Sequence, residues 1–156
     1  MKKLLLFFTF LSAIALWTHA DVVAFVADGF TYSGTGTNVT IKNNSSNNIA
    51  GESFSNNDVT ITFESANSTK VTVNSNLVRW YAGDILHFTH TDGVTIENIK
   101  VNCSSSTYAG KTTTPVFSSN TNNINTYILT ETQQALSDFT IKTYTKKRFS
   151  YIEVTY

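Results

Sequence analysis

The chain has one cysteine, Cys103, among its 156 residues. An intramolecular disulfide is therefore excluded, and a domain of this size must be held together by its hydrophobic core. Cys103 ends a run of alternating apolar residues, a position where cysteine commonly serves as a small buried hydrophobic side chain. No histidine or other base lies close to it in sequence, so the local pattern does not indicate a catalytic thiol.

Charged residues are scarce as well, at 14% of the chain, with eleven acidic and eleven basic residues. Removal of the N-terminal signal predicted below takes away Lys2 and Lys3, which leaves a net charge of −2. Binding to nucleic acid requires a basic face. The composition therefore argues against a nucleic-acid partner. The one basic cluster, at 146–148, is typical of a solvated turn between strands.

Recognisable catalytic and metal-binding patterns are missing too. Gly34-Thr35-Gly36 lacks the third glycine of a phosphate-binding loop, and no helix is predicted to follow it. His87 and His90 are three residues apart on a predicted strand, so they project to opposite faces and cannot ligate one metal ion together. Asp84 and Asp92 occupy predicted turns, where aspartate is common for backbone reasons.

Glycoside hydrolysis requires two carboxylates held about 5–9.5 Å apart across a cleft. Glu64, Glu97 and Glu153 lie at polar positions of predicted strands, and each is interpreted as a solvated residue. We therefore expect a protein that is not an enzyme and that uses no cofactor and no metal. Hydrolase activity is the least favoured of the functions considered.

The first twenty residues have the layout of a secretory signal peptide. Lys2 and Lys3 precede an apolar stretch, Leu4 to Trp17, and Thr18-His19-Ala20 supplies a cleavage site. The apolar stretch is shorter than the roughly 20 residues that a membrane-spanning helix needs. The sequence predicts a signal peptide at 1–20 and one exported domain at 21–156. The mature protein would be secreted or held at the cell surface, with no transmembrane segment after cleavage.

A pattern of apolar residues occurs twice, at 86–103 and 139–156, with a constant offset of 53 residues. Each copy has alternating apolar positions, a polar interval, and then an apolar-x-x-apolar-x-apolar pattern. Asp92-Gly93 in the first copy is a strong hairpin signal. The parity of the alternation breaks after Ile96 and, at the equivalent position, after Phe149. A β-bulge produces such a break, so the repeat predicts two equivalent bulged hairpins.

Short alternating segments separated by turn residues continue through most of the chain, and no segment has a helical period. The sequence predicts an all-β fold, specifically a two-sheet antiparallel β-sandwich that is jelly-roll-like. The apolar positions of the repeat should face the core. These positions are Leu86, Phe88, Ile96, Ile99, Val101, Phe139, Ile141, Phe149, Ile152 and Val154.

Four stretches, at 58–63, 78–88, 94–101 and 152–156, carry a resemblance to a known family. They include Val78-Arg79-Trp80-Tyr81, the Leu86-His87-Phe88 strand and the final Ile152-Glu153-Val154-Thr155-Tyr156. In these stretches the chain resembles the repeated β-sandwich domain of secreted and surface proteins from Bacteroides- and Prevotella-like bacteria. The resemblance covers roughly 57–156. It implies the sandwich fold and no particular activity.

Aromatic residues are the best candidates for ligand contact. Trp80 and Tyr81 are adjacent on a predicted strand, and Tyr32 and Tyr108 lie in or near loops rich in polar residues. Flat aromatic faces rimmed by polar groups bind sugar rings. These four residues form the predicted site of a non-catalytic binding or adhesion module for a glycan or glycoprotein. In the alternative interpretation, Trp80 fills the core and Tyr81 covers an edge.

A second hypothesis is a structural surface protein that associates through strand edges. The terminal strand ending at Tyr156 motivates this hypothesis, because an unprotected edge can pair with a strand of another chain.

Overall fold

The computed structural model describes residues 20–66 and 70–156, which form thirteen strands and two single-turn helices. Apart from Ala20, the predicted signal peptide lies outside these residues. The elements are β1 (Val22–Ala27), β2 (Thr37–Ile41), β3 (Ser53–Asn56), β4 (Val59–Glu64), β5 (Thr72–Asn74), β6 (Leu77–Trp80), β7 (Ile85–His90), β8 (Asn98–Cys103), α1 (Ser106–Ala109), β9 (Thr113–Thr114), β10 (Ser119–Thr121), β11 (Ile124–Ile128), α2 (Glu131–Gln134), β12 (Asp138–Thr143) and β13 (Lys147–Thr155). Neither helix is long or apolar enough to cross a membrane.

The strands form two sheets, which confirms the predicted all-β sandwich. One sheet has eight strands: β10-β11-β8-β13-β1-β2 in order, with β6 also paired to β13 and β5 paired to β6. The other has five strands, in the order β3-β4-β7-β12-β9. All pairs are antiparallel except β1 and β2, which run parallel. The jelly-roll description stays a prediction.

The repeat is real, but its two copies are not hairpins. In each copy the first strand (β7 or β12) lies in the five-stranded sheet and the second (β8 or β13) lies in the eight-stranded sheet. Asp92-Gly93 therefore makes a turn within a crossover between the sheets. The prediction of hairpins was wrong because alternating apolar residues look the same whether two strands share a sheet or face each other across a core.

The two copies pair with each other about a local two-fold axis. β7 pairs with β12 so that His87 lies opposite Thr140, and β8 pairs with β13 so that Lys100 lies opposite Glu153. Both pairs are separated by the repeat offset of 53 residues. The repeated unit is thus a crossover between the sheets, and two such crossovers form the centre of the sandwich.

The predicted bulge is confirmed in the second copy only. The register between β13 and β8 shifts between Phe149 and Tyr151, so Phe149 and Ser150 are both buried although they are consecutive. In the first copy the parity break falls between Ile96, which lies in the crossover, and Ile99 in β8. A change of direction outside a strand shifts the parity without a bulge.

The core fills the space between the sheets. All ten apolar positions of the repeat that the sequence assigned to the core are buried. At its centre the Phe149 ring stacks on Phe63 at 6.3 Å and meets the Trp80 indole edge to face at 6.3 Å. Because inward positions alternate with outward ones, each strand also presents a row of polar residues to solvent.

Candidate functional site

Trp80 is fully buried, so its assignment to a ligand-binding surface was wrong. Its strand neighbour two positions earlier, Val78, is also buried, and residues two apart on a strand share a face. The indole packs against Phe149 in the core. Its Nε1 has no hydrogen-bond acceptor within the described part of the chain. The alternative interpretation of Trp80 as a core residue is the one that the structure supports.

The three predicted tyrosines are partly exposed, but each is engaged by a neighbouring side chain. The Lys146 ammonium lies 5.0 Å from the centre of the Tyr81 ring, and the Arg148 guanidinium lies 5.3 Å from the Tyr108 ring. These cations occupy positions over the aromatic faces that a sugar would have to use. The sequence-predicted aromatic surface is therefore largely covered in this structure.

Tyr32 is held in a similar way. Its hydroxyl donates a hydrogen bond to Glu153 Oε2 at 2.9 Å, and its ring meets Tyr151 edge on at 5.3 Å. Burial, followed by the hydrogen bond to Glu153, raises the pKa of Tyr32 to about 12. Tyr32 thus covers the outer face of the eight-stranded sheet beside the Lys100–Glu153 ion pair of 2.7 Å. None of the four predicted residues lines the cavity that lies on the other sheet.

That cavity, called here the His87 cleft, lies on the outer face of the five-stranded sheet. It has a volume of about 550 Å³ and is lined by Ala50, Gly51, Thr62, Phe63, Glu64, Ser65, His87, Thr89 and Asp138. Ligand-binding cavities typically measure about 300–1,000 Å³. The cleft therefore has the size of a small-ligand site, and its floor consists of outward-facing side chains from three adjacent strands, β4, β7 and β12.

The register of these strands explains how the polar groups meet. His87 faces outward because its neighbours Leu86 and Phe88 face the core. Thr62 lies opposite His87 on β4, and Thr89 lies opposite Asp138 on β12. Diagonal positions on neighbouring strands are within reach of longer side chains. The rim comes from the segment before β3, where the Gly51 amide donates to the Phe63 carbonyl at 2.6 Å.

His87 joins two carboxylates at the centre of the cleft. Its Nδ1 is 2.9 Å from Asp138 Oδ2 and its Nε2 is 2.9 Å from Glu64 Oε2. Burial by itself lowers the pKa of His87, but hydrogen bonds and charge attraction from Asp138 and Glu64 outweigh that effect and raise it above its ordinary value of 6.5. The favoured state is an imidazolium that donates one hydrogen bond to each carboxylate.

This arrangement limits the chemistry of the cleft. Because both ring nitrogens of His87 are used, neither is free to take a proton from a substrate as a general base. Among residues 20–66 and 70–156, no group of three histidine, cysteine or acidic side chains could hold a metal ion. The remaining oxygens of Glu64 and Asp138 are hydrogen-bond acceptors, and the hydroxyls of Thr62 and Thr89 can donate or accept. A molecule placed in the cleft would therefore meet mainly hydrogen-bond acceptors.

Sequence reasoning missed this cluster because its members are far apart in the chain. His87 is 23 residues from Glu64 and 51 from Asp138. The sequence also predicted that His87 and His90 project to different faces, and in the structure His90 contacts the backbone oxygens of Thr91 and Leu136. The repeat was the one signal in the sequence that could have indicated this cluster. If its two copies are assumed to pair with each other, β12, which carries Asp138, lies beside β7, which carries His87.

The cluster should make stability depend on pH. Because the His87 pKa is raised on folding, its stabilising contribution is fully present below 6.5 and is lost as pH rises through the higher folded pKa. Each partly exposed pair is worth about 0.2–1 kcal/mol. We expect the free energy of unfolding of the wild type to fall relative to His87→Gln across this range, measured by urea denaturation at several pH values. A constant difference between the two proteins would contradict the prediction.

Comparison with known proteins gave no match to a protein family, a curated protein or a solved structure.

Proposed function

We propose that this protein is an exported, non-catalytic binding module and that the His87 cleft binds a polyhydroxylated ligand, namely a carbohydrate. The observation that carries the proposal is the acceptor cluster on the floor of the cleft, in which Glu64 and Asp138 are both fixed by His87 at 2.9 Å. Because these two side chains are already held in place, little side-chain entropy is lost when a ligand binds to them. Export rests on the signal peptide predicted at 1–20.

The chemistry of the cleft favours sugar hydroxyls over other small ligands. With His87 protonated, the three charged groups sum to one negative charge, so the cluster repels anions. Its accepting oxygens and flanking threonine hydroxyls match the donors that a sugar ring presents at several positions. The His87 cleft replaces the predicted aromatic site of Trp80, Tyr81, Tyr108 and Tyr32, and the proposed ligand is still a carbohydrate.

Two features favour binding over hydrolysis. A glycosidase needs one carboxylic acid that keeps its proton and one free carboxylate. In the cleft both carboxylates instead bond to the same His87 ring at 2.9 Å, so the geometry sets neither of them apart as a proton donor. His87 itself has no nitrogen available for proton transfer. The groups are therefore suited to hold a ligand.

The test is binding of the full chain to a glycan array, followed by calorimetry with the best glycan. Glu64→Gln and Asp138→Asn should each weaken binding about tenfold or more, because a hydrogen bond to a charged group is worth about 1.5–3 kcal/mol and about 1.4 kcal/mol is tenfold in affinity.

The matched controls are Glu97→Gln and Asp92→Asn, which make the same changes at exposed positions outside the cleft. Both should bind like the wild type. Absence of binding to any glycan, or equal losses in the cleft variants and their controls, would contradict the proposal.

The terminal strand does not support the alternative, association through strand edges, which stays a prediction for the outer strands. β13 lies inside the eight-stranded sheet, with β8 on one side and β1 and β6 on the other. Its backbone groups are therefore paired along both edges. One outer strand of that sheet, β10, has three residues, all polar and exposed, and short polar edges resist addition of further strands.

A further inference from the structure

A second cluster of polar side chains lies inside the sandwich, separate from the His87 cleft. Lys147 is fully buried as the first residue of β13, and Asn125 is fully buried as the second residue of β11. β8 runs between these two strands and contributes the buried Cys103. All three side chains face the core, where a polar group is costly unless its hydrogen bonds are satisfied.

The contacts in this cluster are specific. Lys147 Nζ lies 2.8 Å from Asn125 Oδ1 and 3.1 Å from the Tyr108 carbonyl oxygen. Asn125 Nδ2 donates to the Ala109 carbonyl at 2.8 Å, which fixes the orientation of its amide. The Cys103 thiol donates to the same Asn125 Oδ1 at 3.6 Å. Asn125 Oδ1 therefore accepts two hydrogen bonds, from Lys147 and from Cys103, and these polarise the carbonyl bond and make Cγ more electrophilic.

An ammonium ion in this position would be stabilised by two carbonyl oxygens and by the Phe117 ring, whose centre lies 5.9 Å from Nζ, but by no opposite charge. No ion pair joins Lys147 to a carboxylate within the described residues. Burial lowers the pKa of Lys147, and this effect is opposed only in part by attraction to Cys103. A buried charge without an opposite charge is expensive, whereas a neutral amine is a nucleophile. The nucleophile and an amide carbonyl are thus held together where water is excluded.

We propose that Lys147 and Asn125 join in an intramolecular isopeptide bond with loss of ammonia. Neutral Nζ attacks Asn125 Cγ and forms the new C–N bond, while the Cys103 thiol donates a hydrogen bond to the developing oxyanion. The C–Nδ2 bond then breaks, its electron pair stays on the departing nitrogen, and a proton from Nζ completes ammonia. The new amide keeps one N–H directed at the Tyr108 carbonyl.

This reaction needs no oxidant, metal or second substrate. One primary amine and one primary amide give one secondary amide and one ammonia, so atoms and charge balance. Holding the two groups in contact replaces an encounter in solution, and intramolecular reactions whose groups are well oriented reach effective concentrations of about 10⁵–10⁸ M. The Cys103 donor supplies the kind of oxyanion stabilisation that acyl transfer requires.

The product would connect β11 and β13 covalently across β8. This inference is independent of the proposed carbohydrate site, which lies on the other sheet. A module with such a crosslink would resist unfolding of the eight-stranded sheet even where non-covalent contacts are broken.

The test is mass spectrometry of the denatured, purified full chain, with the N-terminus of the same sample determined. We expect a mass lower than the sequence mass by one ammonia. Proteolysis should give a joined peptide pair that contains Asn125 and Lys147. An unchanged mass would overturn the proposal. Loss of ammonia without the joined peptide would also overturn it, because cyclisation of an asparagine to succinimide gives the same mass change.

Variants separate the reacting groups from their neighbours. Lys147→Arg and Asn125→Ala should each have the mass calculated from the variant's own sequence, with no ammonia lost. The neighbouring change Lys146→Arg should still give a mass lower by one ammonia. Asn125→Asp should give the same crosslinked product by loss of water. Cys103→Ala should contain an increased unlinked fraction. Linkage in Lys147→Arg would overturn the assignment of the nucleophile, and complete linkage in Cys103→Ala would overturn the role of the thiol.

Discussion

Trp80→Ala is expected to lower the free energy of unfolding by about 3–5 kcal/mol. The indole is fully buried between the sheets and meets Phe149 edge to face, so its removal leaves a cavity at the centre of the core. The surrounding sandwich can fill only part of that volume, because strands in two paired sheets shift little. The measurement is denaturant unfolding followed by far-UV circular dichroism.

The matched change is Tyr81→Ala at the next position of the chain. Tyr81 is half-buried and lies under Lys146, so its truncation should cost about 1 kcal/mol. Comparable losses in the two variants would contradict the assignment of Trp80 to the core. The contrast also affects binding experiments, because reduced glycan binding by Trp80→Ala would reflect lost stability.

Period-two alternation made the core predictable from sequence. The ten apolar positions of the repeat are buried because the apolar face of a strand is removed from water in any packed arrangement. Their burial could therefore be predicted without knowing which strands pack against them. Trp80 could have been assigned by the same rule, since Val78 lies on the same face of β6. The exposure of Tyr81 says nothing about the burial of Trp80, because consecutive residues of a strand face opposite sides of the sheet.

The assignment of strands to sheets could not be read in the same way. β7 and β8 are neighbours in sequence but lie in different sheets, and only the pairing of β7 with β12 and of β8 with β13 reveals this. Such pairing depends on contacts between residues about 50 positions apart, which no local pattern encodes. The His87 cleft depends on the same long-range pairing, so it was missed together with the sheet assignment.

The internal Lys147–Asn125 contact was hidden for a related reason. The cluster at 146–148 resembles a solvated turn, but Lys147 begins β13 and its side chain points inward. A lysine on the apolar face of a strand contradicts the alternation rule. Such contradictions are expected at functional or chemically special positions. Asn125 breaks the same rule on β11, and the two exceptions contact each other.

Asp84→Ala is expected to lower the free energy of unfolding by about 2–3 kcal/mol, although its position in the sequence is that of an ordinary turn residue. The side chain is fully buried. Its carboxylate accepts hydrogen bonds from the Tyr81 amide at 2.9 Å and the Ala66 amide at 3.2 Å. It therefore ties the turn before β7 to the segment after β4, and alanine would leave both amides without this acceptor.

The matched control is Asp92→Ala, which removes the other turn aspartate from an exposed position and should change stability by no more than about 0.5 kcal/mol. Both variants are compared by the same urea denaturation. A small effect of Asp84→Ala would mean that the two amides find other acceptors once the turn relaxes. A large effect would confirm that the two hydrogen bonds of this carboxylate stabilise the fold, and the proposed glycan binding by the His87 cleft should then weaken in Asp84→Ala as well, because Asp84 precedes the end of β7 that pairs with Glu64.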